Sequence, residues 1–160
     1  MATTASAPSL PPRSLIRAIW RGHRLLVKAS GARLGLHPPE EGRRMGMMRL
    51  HAIGRTSGEP RPVVLGYFDD GDALVTLAMN GWAADDPSWL RNLRAHPEVR
   101  VDLGRIRRTV RARIATGAEH DRLWARFADF PGWGDLDAFA PRRPGGTAVV
   151  VLDPLDAPSP

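Results

Sequence analysis

Two short apolar stretches, 47–53 and 63–68, flank a polar, glycine-bounded segment at 54–59, and a third, 73–78, follows the turn signal Asp70-Gly71. This spacing predicts consecutive antiparallel strands. Farther on, Val99, Val101 and Leu103 alternate with polar residues, Gly104 marks a turn, and Ile106, Val110, Ala112 and Ile114 take one side of the next strand. Its other side carries Arg105, Arg107, Thr109, Arg111 and Arg113, a basic solvent-facing stripe, while Arg108 interrupts the apolar side. The run TAVVVL at 147–152 reads as a final strand.

Helical periodicity appears in three places. Ile16, Ile19, Trp20, His23 and Val27 recur beside a basic stripe of Arg13, Arg17, Arg21, Arg24 and Lys28. Asp86-Pro87 opens a short helix with Trp89, Leu90 and Leu93 inward, the carboxylate poised for orphan amides, and Pro97 ends it. Thr116 and Glu119 have capping-box spacing ahead of Leu123, Phe127 and Phe130. Six short strands and three helices, without strand–helix alternation, imply a mixed, predominantly antiparallel β-barrel with peripheral helices rather than a parallel nucleotide-binding sheet.

A length of 160 residues fits one domain. We divide it into a polar, proline-rich tail at 1–12, a basic helix and loop lead-in at 13–46 with a helical fragment at 40–44, a barrel at 47–155 and a tail at 156–160. The chain has no cysteine, which removes disulfides, thiol nucleophiles and thiolate metal sites. No secretion signal or long apolar run is present, so a cytoplasmic location is the expectation.

Charge changes the picture more. The formal net charge is +6, and Lys28 is the only lysine, so the basic charge is nearly all arginine. Its rigid fork suits phosphates and carboxylates. The basic helix fits an anionic membrane surface, packing on its own domain, or a dimer contact. A nucleic-acid partner is not expected, because no recognition module accompanies the charge. In the 54–59 loop, Arg55 and Arg61 can clamp oxygens, Thr56 and Ser57 add hydroxyls, and the glycines permit close backbone approach. An ordinary turn between strands also accounts for these residues.

The hydrolytic signatures GxSxG and HExxH are missing, as are the phosphate-loop and dinucleotide fingerprints, and the histidines are dispersed through unlike contexts. No metal site and no protein nucleophile is expected. Trp82, Trp89, Trp124 and Trp133 could line a pocket beside the arginine loop, which suits a planar phosphorylated cofactor whose own ring does the chemistry.

The segments IGRTSGEPRPVVLGY (53–67), ALVTLAMNGWAADDPSWLRNLRAHPEVRV (73–101) and VRARIATGAEHDRLWARFADFPGW (110–133), with the closing strand, resemble in order the deazaflavin-dependent nitroreductase family. The resemblance implies a split β-barrel that binds coenzyme F420, a deazaflavin with a phosphodiester and a glutamate tail. It implies hydride transfer to an electron-poor organic acceptor: a quinone, a nitroaromatic or an enone. By position it assigns Arg55, Thr56, Ser57 and Arg61 to the anionic part of the coenzyme, and Val63 and Val64 to its flank. Ala78 and Asn80 fall near the ring, and Trp89 and Asn92 match the helix motif. Trp133 and Leu136 stand where the acceptor pocket is expected. Thr56 replaces the family's loop lysine and Leu90 a tyrosine, and Tyr67 is the only tyrosine in the chain. FMN in a related barrel is the runner-up, and a deazaflavin carrier or membrane-surface protein is the non-enzymatic alternative. A homodimer that covers edge strands is a further expectation.

Overall fold

The computed structural model describes residues 35–80, 83–131 and 135–155, together with positions 14, 15, 18, 19, 21, 22, 25 and 29, all helical. Trp82, Trp133, both tails, and Ile16, Trp20, His23, Val27 and most of the basic stripe lie outside the described residues. Of the lead-in helix, Leu15, Ile19 and Leu25 are described and are exposed.

Six antiparallel strands close into one barrel in the order β1-β2-β3-β6-β5-β4. They are β1 (Gly46–Ile53), β2 (Pro60–Asp70), β3 (Ala73–Leu77), β4 (Glu98–Leu103), β5 (Ile106–Ile114) and β6 (Val149–Pro154). Between them run the helices α1 (Ser88–Ala95), α2 (Gly117–Arg126) and the one-turn α3 (Leu136–Phe139). Both the expected hairpin turns, at Asp70-Gly71 and at Gly104, form. Because β4 returns to β1, these strands leave no open sheet edge, so covering an edge is not a reason for this barrel to dimerise.

Period-two alternation sets the interior. Met48, Leu50 and Ala52 of β1 point inward with Leu65, Val99, Val101, Val110, Val150 and Leu152, and Trp89, Leu90 and Leu93 of α1 pack on the same cluster. β6 is buried on both faces, which is why TAVVVL shows no alternation. Its Val149 and Val151 join Phe68, Val75, Leu77, Leu123, Phe127, Phe130, Leu136 and Phe139 in a second core outside the barrel. Phe68 stacks on Phe130 at 5.5 Å, meets Phe127 edge-on at 4.8 Å, and carries the Arg126 guanidinium over its ring.

Three local expectations change. Residues 40–44 form a hydrogen-bonded turn rather than a helix, with the Glu40 carboxylate held by Arg43 and Arg44. Thr116 precedes α2 in extended conformation, but its hydroxyl caps nothing and Glu119 bonds Arg113 instead. Asp86 caps no amide either: α1 starts after Pro87, and the Asp86 carboxylate receives Arg94 at 2.8 Å and Arg143 at 2.9 Å. In each capping case an ionic partner outcompetes a backbone amide for the carboxylate.

Candidate functional site

The 54–59 segment is a tight connection between β1 and β2. Gly58 donates to the Gly54 carbonyl at 2.7 Å and Gly54 to the Glu59 carbonyl at 2.8 Å, which folds the loop back on itself. A Cβ on Gly54 would lie 2.5 Å from Ser57 Oγ and 3.3 Å from the Glu59 carbonyl, so a side chain here would push the Ser57 hydroxyl out of its place in the loop. Ser57 Oγ accepts from the Glu59 amide at 3.3 Å, leaving its own proton to offer outward.

Arg55 is held from α1. Its backbone N–H and its Nη1 donate to Asn92 Oδ1 at 3.2 and 3.1 Å. Asn92 is buried, one turn along α1 from Trp89, and both face the barrel mouth. A neutral amide thus orients the guanidinium without cancelling its charge. Among the described residues neither Arg55 nor Arg61 has a carboxylate partner, and the amides of Thr56 and Ser57 have no acceptor. Arg55, Thr56, Ser57, Gly58 and Arg61 are all exposed. With the exposed Glu59 carboxylate as its one acidic member, this is a donor-rich cluster at one end of the barrel, suited to an anion of several oxygens.

The remaining sequence-predicted residues divide. Val63 is half-buried against the barrel core, whereas Val64 faces the other side of the sheet and packs under Leu36. Adjacent strand residues point to opposite faces, so of the two only Val63 turns its side chain toward the barrel interior. Ala78 is fully buried in the same core as Trp89. Its N–H donates to Ala148 at 2.9 Å and its carbonyl accepts from Arg143, so both backbone groups of Ala78 are engaged within the protein. Asn80 is exposed. Leu136 lies buried in the outer core with Phe139 rather than lining an open pocket. Tyr67 is buried at the far end of the β1–β2 hairpin opposite Gly46, and burial pushes its phenol up to about 12, so it offers no side chain to the mouth.

Two features escaped sequence reasoning. Arg143 is a fully buried arginine whose neighbours in PRRPGG gave no sign of burial. The other is on the outer face of β1, where His51 Nε2 meets Asp102 Oδ2 at 2.7 Å and Arg107 Nε donates to Oδ1 at 2.8 Å. Burial alone would raise the Asp102 carboxyl, but the bonds from Arg107 and His51 outweigh it and hold it below the usual carboxylate range. A groove of about 290 Å³ beside this pair is lined by His51, Ile53, Pro60, Glu98, Arg100 and Thr109. His51 and Ile53 alternate with Leu50 and Ala52, so the groove lies on the opposite face of β1 from the barrel interior.

With this geometry in hand, likeness to known proteins is informative. A family model described as F420H(2)-dependent quinone reductase matches residues 21–153. The chain is 33% identical over 105 residues, 66% of its length and 87% of the relative's, to a Mycobacterium tuberculosis protein provisionally named an F420H(2)-dependent quinone reductase. Another M. tuberculosis protein with that name is 36% identical over 77 residues, so the match spans only 52% of that relative. A solved structure described as an F420-H2 dependent reductase superposes with a TM-score of 0.59 at 22% identity, covering 69% of this chain and 96% of that one. At that identity the likeness shows the fold.

Proposed function

Because this chain belongs to the F420H(2)-dependent quinone reductase family, and is by that membership an F420-dependent oxidoreductase, we propose that it holds the coenzyme at the barrel mouth and reduces an electron-poor organic acceptor of the quinone type. The observation that carries the placement is the donor-rich cluster: Arg55 oriented by Asn92 and, among the described residues, Arg61 without a carboxylate and two loop amides without an acceptor. These groups fit the phosphodiester and carboxylates of the coenzyme that the sequence resemblance implies.

When bound, the reduced coenzyme supplies the hydride. The chain's part is to bind and orient. Arg55 and Arg61 would hold the anionic oxygens of the coenzyme, and the Thr56 and Ser57 hydroxyls and amides would complete the cradle. Trp89 and Val63 form the apolar floor of the mouth. Asn80, exposed at the end of β3, is the polar side chain of the 78–80 segment able to donate toward the acceptor, where developing negative charge needs a positioned donor. No side chain acts as nucleophile. Trp133 stays a candidate wall of the acceptor site.

Fluorescence titration with oxidised F420 and, separately, FMN tests the reading. Selective binding of F420 is expected, with affinity reduced about 10-fold or more in Arg55→Ala at unchanged circular dichroism, the loss typical of a charge-assisted bond. Unchanged affinity in that variant removes the loop from the site, and selective FMN binding installs the runner-up cofactor. Turnover of reduced F420 with a soluble quinone then tests the acceptor class.

A further inference from the structure

Arg143 heads the fully buried side chains of the described residues by volume. A guanidinium taken out of water is costly, the more so here because Arg143 Nε has no hydrogen-bond partner among the described residues, and an apolar side chain of similar volume would commonly fill the space at lower cost. What an apolar side chain could not do is bond several acceptors at once. Arg143 donates from Nη1 to the Ala78 carbonyl, and from Nη2 to Asp86 Oδ1 at 2.9 Å and to the Asp85 carbonyl at 3.5 Å. Its own backbone is fixed by the bond from the Gly146 amide to its carbonyl at 2.7 Å, in the turn that leads into β6. One side chain thereby ties the approach to β6, the end of β3 and the approach to α1.

The segment it holds is the one nearest the proposed ring position. Ala78 is fixed on both sides, by Ala148 through its N–H and by Arg143 through its carbonyl. Met79 turns back at once, its amide donating to the Leu77 carbonyl at 2.9 Å. That turn carries the chain outward, so Asn80 emerges exposed one residue later. The anion loop joins β1 to β2 and is held by Asn92 in the body of α1; it shares no hydrogen bond with Arg143, and among the described residues the one link between them runs through Asp86, which also accepts from Arg94 of α1.

We propose that Arg143 is a positioning residue of the hydride-transfer reaction: by bridging the Ala78 carbonyl and Asp86 it fixes the 78–80 turn that presents Asn80, and so governs turnover rather than coenzyme affinity. The proposal rests on the placement of the coenzyme given above. Lysine keeps the charge but is a point donor that cannot span the same acceptors as a planar fork, so Arg143→Lys separates geometry from charge.

The test compares wild type, Arg143→Lys and Asp86→Asn, the last loosening the same bridge while leaving the arginine in place. Hydrogen exchange is measured first, without coenzyme. Both variants are expected to speed exchange of the Ala78 and Met79 amides at least 10-fold, leaving Leu50 and Val101 in the barrel unchanged. Titration with F420 and turnover with reduced F420 and menadione follow. We expect kcat to fall 10- to 50-fold in Arg143→Lys, with F420 affinity within 3-fold of wild type and a smaller loss of the same kind in Asp86→Asn. Unchanged exchange at 78–79, or affinity falling as far as kcat, overturns the proposal. If Arg143→Lys does not fold, Asp86→Asn decides by the same two criteria. Failure of the wild type to bind F420 instead defeats the coenzyme placement, and with it the role in turnover. The exchange comparison then still decides whether Arg143 holds the turn.

Discussion

Two arginine-rich regions look alike in the sequence and differ in the fold. On β5, Arg107 bonds Asp102, Arg111 bonds Glu98, and Arg113 bonds both Glu119 and Asp153. In the β1–β2 loop, Arg55 is met by the neutral amide of Asn92, and Arg61 has no carboxylate among the described residues. The difference comes from register. Glu98 lies directly across from Arg111 and Asp102 across from Arg107, so β4 delivers a carboxylate to each of these two, while Arg113 is met by Glu119 of α2 and Asp153 of β6. Arg55 lies in the turn beyond the strand ends, and Arg61, on β2, stands across from Ala52 of β1, so no neighbouring strand delivers a carboxylate to either. Charge density is therefore a poor guide to anion binding, and what distinguishes the regions is whether the fold supplies its own counter-charge.

Removing equal charge from each region is the sharpest way to break this comparison. Arg55→Ala with Arg61→Ala should lower F420 affinity about 100-fold or more, two charge-assisted contacts being lost together. Arg111→Ala with Arg113→Ala should change it less than about 2-fold, screening leaving little from distant, already neutralised charges. Equal losses in a fluorescence titration would mean that net charge, and not the unpaired loop, attracts the ligand.

The second effect runs the other way, on stability. Asp102 is the buried acceptor of the β5 face, serving Arg107 and His51 together. Asp102→Asn should destabilise the protein by about 2 kcal/mol, because it replaces an ionised acceptor of two bonds by an amide that must turn a donor toward one partner. The loop double variant should cost less than about 1 kcal/mol, since the side chains it removes are exposed. A urea midpoint unmoved by Asp102→Asn would show that the β5 pairs are incidental.

The pH dependence follows from the same carboxylate. Asp102 is held low by Arg107 and His51 against its burial, and Asp70 is held low chiefly by its hydrogen bond from Arg122. A depressed folded-state pKa contributes stability that is present above the ordinary carboxylate value and is lost as the pH falls below it, through the folded value. Denaturation midpoints should therefore drop progressively below about pH 4. Asp102→Asn should show a shallower acid limb than wild type, whereas the loop double variant keeps the wild-type slope. At the other extreme, the raised Tyr67 phenol contributes stability that is present below pH 10 and lost as the pH rises toward about 12.

What was legible in the sequence follows these lines. The strands, their turns and the helix positions were written in local periodicity, and the closed antiparallel barrel is what such a series of short strands builds. The anion loop was legible because its glycines and arginines are contiguous. Non-local partners were not: nothing in the sequence links Arg113 to Asp153, 40 residues on, or Arg143 to Ala78, 65 residues back. The resemblance places Val63 and Val64 together beside the coenzyme, and the pleat sends their side chains to opposite faces. Leu136 was assigned to a pocket by its position in the resemblance, whereas the outer core around Phe68 claimed it. A buried arginine is the hardest case, since its own neighbours are polar and its partners all come from elsewhere.

The smallest expected effect gives the cleanest control, because the two hairpins carry matched glycines. Gly58 sits at φ 69° in the β1–β2 loop and Gly104 at φ 70° in the β4–β5 turn, and no side chain crowds the Cβ position of either. Alanine at each position pays the same left-handed backbone penalty, about 1 kcal/mol. Thermal melts should thus fall by similar amounts in Gly58→Ala and Gly104→Ala. Coenzyme affinity should not. Strain at Gly58 disturbs the bond to Gly54 that folds the loop and lines up the Thr56 and Ser57 amides, and a 3- to 5-fold weakening is expected. Gly104 belongs to the hairpin whose arginines along β5 find carboxylates at home, and its variant should bind F420 as wild type does. Equal weakening in both would trace the effect to general destabilisation, and the loop would lose its claim to be a built anion site.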